Sequence, residues 1–499
     1  MSKFINSKEA IASSLLLWQE VPPQVSVQET YDLKVWPVTN IFNEGPINFV
    51  IPPQPHGMLT NVDIVTKFKM ENEDADHNSR YTKLSIINNF ANSLWELVEV
   101  RLDDRVDIMQ SMRNSYAYQT YFNHCLNTES NHADYLFHNE LFKMDEGRNK
   151  IEAEDNAIFT LTTETISRKL DEIVFNTEDL VNYNYAAKLS SLKKELATKF
   201  NTWTTTHSKN PAAGDRALKI NSDKHDTTVN SKLQCPLLTT SKCLPTDMKI
   251  RVSLTKNNDN FLLFVPDNDT FYDKYKVKIE DVHLNVTYYR PRDVILRHIE
   301  EQLKQEPAPY FISKPEIIIK PVTHSNRNIR IANLFHDKMP SHAFFCLQKS
   351  SDFNGKRDSS PFVFIPFSKF QLHVNGKPHF MDPLEADFQV LDSKTNEKSW
   401  IYNGEYYRQL YRTIGKDLKG DCLINSKNFH LNFMAAVSFT ADRSNTSSRY
   451  LNLQQKNSTS LEIDMGYNTG IPDDMILIIY ALFDRQIQID SDRSVTIIE

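Results

Sequence analysis

The chain has 499 residues, 40% hydrophobic and 11% aromatic, with 29 Phe and 20 Tyr beside only 11 Gly. So much apolar surface exceeds one small core, and the Phe/Tyr bias favours strands, so two domains or one large double domain are expected. A formal net charge of −7 argues against a protein that holds nucleic acid through a basic stripe.

Residues 1–26 read as an arm that ends at Pro22-Pro23. Strand signals begin at Tyr31–Trp36 and Pro46–Pro52. A cleaner one follows, with Val62, Ile64, Phe68 and Met70 on one face and Asp63, Lys67 and Lys69 on the other. The alternation from Leu94 to Leu102 meets Asp103-Asp104 as a hairpin turn and returns through Val106 and Ile108. Asn and Asp supply left-handed turn positions in this glycine-poor chain, because their short side chains tolerate them. Tyr116, Tyr118, Tyr121, Phe122 and Leu126 then recur at steps of three and four, which predicts a short helix.

The segment 163–203 has helical texture, with Leu189, Leu192, Leu196 and Phe200 on one face. Asn201–Ser231 is polar and almost free of large apolar residues, so the whole stretch, about 163–231, reads as a partly helical insertion whose tip is a surface excursion. Strand character returns at 276–295, where Val282, Leu284, Val286 and Tyr288 alternate with His283, Asn285, Thr287 and Tyr289. Asp293 to Glu306 reads as a linker helix, with Asp293 as its cap, Ile295, Ile299 and Leu303 on one face and Pro307 as its stop.

The second half repeats this order. Phe370, Leu372 and Val374 alternate into Asn375-Gly376, a strong short hairpin signal, and the chain returns through Phe380. An aromatic helical piece follows at Tyr406, Tyr407, Leu410, Tyr411 and Ile414. The tail closes in strands, with Ile487 and Ile489, then Val495 and Ile497, in alternation. Strand-turn-strand, aromatic helix and long closing strands thus occur twice in one order, at a period too long for a solenoid. The division expected is an arm (1–26), a first β domain (27–290), a linker helix (291–308) and a second β domain (309–499). The fold class is all-β.

Groups capable of chemistry do not assemble into a motif. Gly415–Asp421 lacks the order of a phosphate loop. Ser341-His342 and His336-Asp337 lack a nucleophile elbow. Asp490-Ser491-Asp492 and Asp267-Asn268-Asp269 lack the glycine and distal glutamate of a calcium loop. His124-Cys125 sits in an aromatic stretch where packing accounts for both. Cys125, Cys235, Cys243, Cys346 and Cys422 form no metal-ligand spacing and read as free thiols in a reducing compartment. The reading is therefore no catalytic, cofactor-binding or metal residue, no enzyme and no cofactor. No convincing signal peptide or membrane span is read, and a soluble protein is expected.

Trp18–Gln28 and Gly45–Pro52 resemble the N-terminal signature of capsid-like proteins from Polinton (Maverick) elements and their adintovirus relatives. Leu97–Asp103, Ser115–Tyr118, Leu141–Gly147, Phe370–Gly376, Asn403–Arg408 and Tyr480–Asp490 are similar to the same group, in collinear order across nearly the whole chain. The stretch 163–231 departs from the pattern in length and polarity. The resemblance implies a double jelly-roll major capsid protein, akin in architecture to adenovirus hexon, with two eight-stranded jelly rolls side by side. It implies a homotrimeric, pseudo-hexagonal capsomer located in the virion. Neighbouring capsomers and minor capsid or penton proteins would be its partners, with synthesis in the host cytoplasm and nuclear assembly as an option. A penton-like minor capsid protein, or a host β-sandwich protein domesticated from such an element, stands as the alternative.

Overall fold

The computed structural model describes residues 24–41, 45–72, 85–103, 106–145, 211–222, 226–264, 275–322 and 328–498, the last apart from 336–337, 354, 356–359, 387, 391–397, 401–403, 427, 447–458 and 465–473. Beside a short pair, Ser85–Ile86 with Leu263–Phe264, the described residues of the first part of the chain supply eight strands: β1 (Val27–Val35), β2 (Ile47–Ile51), β3 (Met58–Asn72), β4 (Trp95–Leu102), β5 (Val106–Gln110), β6 (Asp226–Lys232), β7 (Ile250–Lys256) and β8 (Tyr275–Pro291). They form two antiparallel sheets in the orders β1-β8-β3-β6 and β2-β7-β4-β5. Alternation drives the layering. Val62, Ile64, Phe68, Met70, Val282, Leu284 and Val286 are buried, as are Phe49, Val98, Val100, Val252 and Leu254 from the other sheet. The polar partners in each strand point outward.

Between β5 and β6 come helices α1 (Ser115–Asn127), α2 (Ala133–Glu140) and α3 (Pro211–Ser222). Helix α4 (Asp293–Gln305) then joins the halves. The second half contributes β9 (Ala308–Val322), β10 (Asn328–Ala332), β11 (His342–Lys349), β12 (Lys369–Val374), β13 (Lys377–Pro378), helix α5 (Glu405–Ile414), β14 (Ala435–Ser438), β15 (Thr459–Asp464) and β16 (Met475–Ile489). Its sheet orders are β9-β16-β11-β14 and β10-β15-β12-β13, with Val495–Ile498 added against β16. The short Leu384–Glu385 strand also pairs with β12; numbered by the eight strands named in each half, both read 1-8-3-6 and 2-7-4-5. Two strands written far apart, β8 and β16, each lie between the first and third strands of their own sheet. This is the jelly roll, formed twice.

The turns follow the chemistry read from the sequence. Asp103 adopts φ 47° at the β4–β5 hairpin, and Asn375-Gly376 adopts φ 51° and 75° at the β12–β13 hairpin. Both central positions of the latter are left-handed, as a two-residue hairpin requires.

Two expectations need correction. Asn201–Ser231 is not a surface excursion in its C-terminal part. Pro211–Ser222 is α3, with Ala212, Ala213 and Arg216 buried, and Asp226–Lys232 is β6, hydrogen-bonded to β3 along seven positions. The signal was missed because the inward residues Thr227, Val229 and Ser231 are small and mostly polar. Their alternation is faithful, but their hydrophobicity is low. The portion 163–210 lies outside the described residues, as does the arm up to residue 23. In α4, Arg292 takes the cap position and Asp293 is the first helical residue. Its buried side centres on Leu303, while Ile295 is exposed.

Candidate functional site

The face with the most organised chemistry is the seam between the two sandwiches. Helix α1 lies in it. Asn114, with φ 58°, turns the chain into the helix, and 11 of its 13 residues are buried. A helix buried on all sides must be covered by two different layers. Towards its own sandwich, Asn89 Nδ2 donates to Thr120 Oγ1 (2.7 Å), and the Tyr116 hydroxyl accepts from the Gln234 N–H (3.2 Å).

The opposite side of α1 meets the second sandwich. The Tyr118 hydroxyl lies 2.9 Å from both Gln348 Oε1 and the Pro361 carbonyl. Tyr121 stacks on Phe362 with ring centres 4.4 Å apart and planes 9° apart, and its hydroxyl donates to Asn432 Oδ1 (2.5 Å). Phe122 stacks on Phe364 (5.4 Å) and on Tyr480 (5.2 Å), which projects from the outer face of β16. Burial pushes the Tyr118 and Tyr121 phenols well above their ordinary pKa, so they remain hydrogen-bond donors at neutral pH.

Beside α1 stands a buried ion pair. Arg216 Nη2 donates to Asp145 Oδ1 at 2.7 Å, and both side chains are almost wholly withdrawn from solvent. Arg216 also donates to the carbonyls of Ile86 (3.0 Å) and Lys143 (3.1 Å), while Ser360 Oγ of the second half donates to Asp145 Oδ2 (2.7 Å). One carboxylate thus holds α3 and the second sandwich together. A further clamp joins the halves through Arg493, which donates to the Thr246 carbonyl (2.7 Å) and pairs with Glu300 of α4 (2.6 Å).

Those groups weighed for catalysis that lie among the described residues make hydrogen bonds within the framework. Ser341 Oγ has two acceptors within reach, the Leu482 carbonyl (3.0 Å) and Asp484 Oδ1 (3.2 Å). His342 is buried with Nε2 2.9 Å from the Ser444 carbonyl, and desolvation lowers its pKa. Gly415 ends α5 in the left-handed conformation, Lys416 donates to the Asp421 carbonyl, and Asp421 receives Ser130 Oγ. Asp490 accepts from Ser494 Oγ (2.9 Å) in the turn after β16. His336-Asp337 and Asp267–Asp269 lie outside the described residues. His124 does more than pack: its Nε2 is 2.8 Å from Glu140 Oε2, which also receives Asn92 Nδ2 (2.6 Å). Among the described residues no group of three His, Cys, Asp or Glu is placed to hold a metal, and no helix is long and apolar enough to cross a membrane. Cys125, Cys235, Cys346 and Cys422 are buried free thiols, and Cys243 is half-buried.

Two features of the seam could not be read from the sequence. Arg216 and Asp145 stand 71 positions apart, and nothing in either neighbourhood announces a buried pair. Gln348 and Asn432 are polar residues in otherwise apolar passages, which is the only trace they leave.

The outer face of β1-β8-β3-β6 differs in character from that of β9-β16-β11-β14. It carries Asp32, held by Thr287 Oγ1 (2.6 Å), and Asp63, held by Asn61 Nδ2 (2.8 Å). Desolvation raises the Asp63 pKa, Asn61 and Lys232 oppose it, and the charges of Asp32 and Glu140 add to it. A cavity of 570 Å³ opens between this face and the ends of α1 and α2, lined by Asn61, Asp63, Asn230, His124 and Glu140 among others. The side-chain oxygens of Asn61 and Asn230 have no hydrogen-bond partner there.

No protein-family model and no curated protein matches the chain. Solved structures do. A chain of the Sputnik virophage is similar over 99% of this protein and 93% of its own length, with TM-score 0.56 and 12% identity. The capsid structure of the virus PBCV-1 is similar over 97% and 99%, with TM-score 0.53 and 8% identity. The mavirus major capsid protein is similar over 100% and 96%, with TM-score 0.51 and 11% identity. At such identities the likeness establishes a fold, and that fold is the all-β double jelly roll of viral major capsid proteins.

Proposed function

We propose that this chain is the major capsid protein of an icosahedral double-stranded DNA virus or virus-like transposon, of the Polinton and adintovirus kind, and that three copies form one pseudo-hexagonal capsomer. The observation that carries the reading is the repetition of 1-8-3-6 and 2-7-4-5 in one chain, with the copies bound by a core-like seam. Two similar units locked in one chain let a threefold trimer present six similar walls, which is the geometry a sixfold lattice position needs. An acidic body suits a shell that does not adhere to the genome it encloses.

In this reading residues 27–290 and 309–499 are the two jelly rolls, 291–308 joins them, and 1–26 is an arm that reaches beneath a neighbour. Capsomers contact one another and penton-like minor proteins in the virion. Assembly is the work, and no residue is assigned a catalytic or cofactor role. Light scattering on purified protein, followed by electron microscopy, tests this. A mass of three chains and hexagonal particles about as wide as they are long are expected. A strict monomer at high concentration that forms no particle under any salt condition would reject it.

A further inference from the structure

Helices α1 and α5 occupy the same place in the two halves, between the fifth and sixth strands of their sandwiches. Each starts after a left-handed residue, Asn114 (φ 58°) or Gly404 (φ 33°). Set start to start, Ser115–Phe122 (SYAYQTYF) lies over Glu405–Arg412 (EYYRQLYR), with Tyr116, Gln119 and Tyr121 matched by Tyr406, Gln409 and Tyr411. The inward positions agree. Tyr116 and Thr120 are buried against the first sandwich, and Tyr406 and Leu410 are buried in the second.

The outward positions differ in kind. Tyr118, Tyr121 and Phe122 are the side chains by which α1 grips the outer face of the second sandwich. Their counterparts on α5 are Arg408, Tyr411 and Arg412. Arg408 and Arg412 are exposed and Tyr411 is half-buried. Arg408 has a loose pairing to Glu405 at 4.0 Å, and the Arg412 guanidinium has no partner among the described residues. The matching sheet face, that of the first sandwich, has changed in step. Where the paired Phe344 and Tyr480 stand on β11 and β16, the corresponding strands β3 and β8 carry the paired Asp63 and Asn285, and Asp32 of the edge strand β1 lies opposite Thr287 of β8.

Resting on the capsomer reading above, we infer that α5 of one copy docks through Arg408 and Arg412 onto the outer face of the first sandwich of a second copy, at Asp32 and Asp63. The contact repeats between chains what α1 does within one, with guanidinium–carboxylate pairing in place of aromatic stacking. The chemistry suits the difference. An internal seam forms once and can bury stacked rings with fully paired hydroxyls, whereas an interface exposed before assembly keeps its charges in water until they meet. Guanidiniums match carboxylates through fixed, forked donors. Asp63 is partly withdrawn from water with Asp32 and Glu140 near it and Lys232 opposite, and a guanidinium arriving beside it adds further opposite charge.

The test uses the full chain and sedimentation equilibrium across a range of salt. R408E/R412E is expected to weaken trimer formation at least about ten-fold, and the wild-type trimer is expected to loosen as salt rises. Adding D63K, or in a separate chain D32K, to R408E/R412E is expected to restore association to within about three-fold of wild type. Both carboxylates lie on an outer face, and D32K at the exposed position guards against a D63K variant that folds poorly. An R408E/R412E protein that trimerises like wild type rejects this interface and leaves the capsomer reading standing. Restoration by neither reversal also rejects the assigned face. A wild-type chain that never associates overturns both.

Discussion

Arg216 shows how far a single side chain can be from its sequence context. It sits in a polar tract, yet it is fully buried and satisfied by one carboxylate and two carbonyls. Arg216→Ala leaves Asp145 buried without its partner and is expected to cost roughly 3–5 kcal/mol in urea unfolding, more than any exposed ion pair here. His342 has the opposite dependence on solvent. Burial lowers its pKa, so the unfolded chain takes up the proton first. A histidine held neutral stabilises the fold above the unfolded value near 6.5 and loses that contribution as pH falls below it. The melting temperature is therefore expected to drop between pH 7.5 and 5.5, with His283 and His379 adding to the effect because burial lowers them too. Circular dichroism melts of His342→Gln should show a flatter pH profile; an unchanged slope would remove His342 from the account.

Among elements, the two aromatic helices were both visible as patterns, but which rings matter was not. The pattern makes Tyr406, Tyr407 and Tyr411 all look like anchors. In the fold Tyr406 is the buried ring, with its hydroxyl on the Leu384 carbonyl (2.8 Å), while Tyr407 and Tyr411 lie half-buried with their rings tilted against each other at 4.6 Å. Tyr406→Ala is expected to cost about 3–5 kcal/mol and Tyr407→Ala clearly less, since less area leaves water there. In α1, Tyr118→Phe deletes a donor between two acceptors and is expected to cost about 1–3 kcal/mol, because an oxygen is left unpaired. Strand β6 makes the reverse case. Limited proteolysis should spare 226–232, since its backbone is committed to β3; early cleavage there would contradict the pairing.

At the scale of the molecule, the seam decides whether the halves behave as one. Rings and hydroxyl hydrogen bonds cross it in a water-poor layer, one of them from Ser360 to the ion-paired Asp145, so a single unfolding transition is expected in calorimetry. Tyr121→Ala removes the stacked ring at the centre of that layer and is expected to lower the transition and broaden or split it. A variant that melts in one sharp step at the wild-type temperature would show that the seam adds nothing to stability.

The pattern of alternation, the Asp103 and Asn375-Gly376 turns and the aromatic steps at 116–126 and 406–414 determined strands, hairpins, helices and the twofold repeat. Those properties are local: they depend on backbone period and on which residues tolerate a left-handed turn. The tertiary structure decided that β6 belongs to the first sheet, that α1 lies between sandwiches and that Arg216 meets Asp145 and Ser360. Each of these joins residues whose separation in sequence carries no period. They are selected by shape and by the need to satisfy buried polar groups once the sheets have closed. Thr227 and Ser231 are the plainest example. Alone they are the residues of a loop, and only the neighbouring β3 makes them a strand.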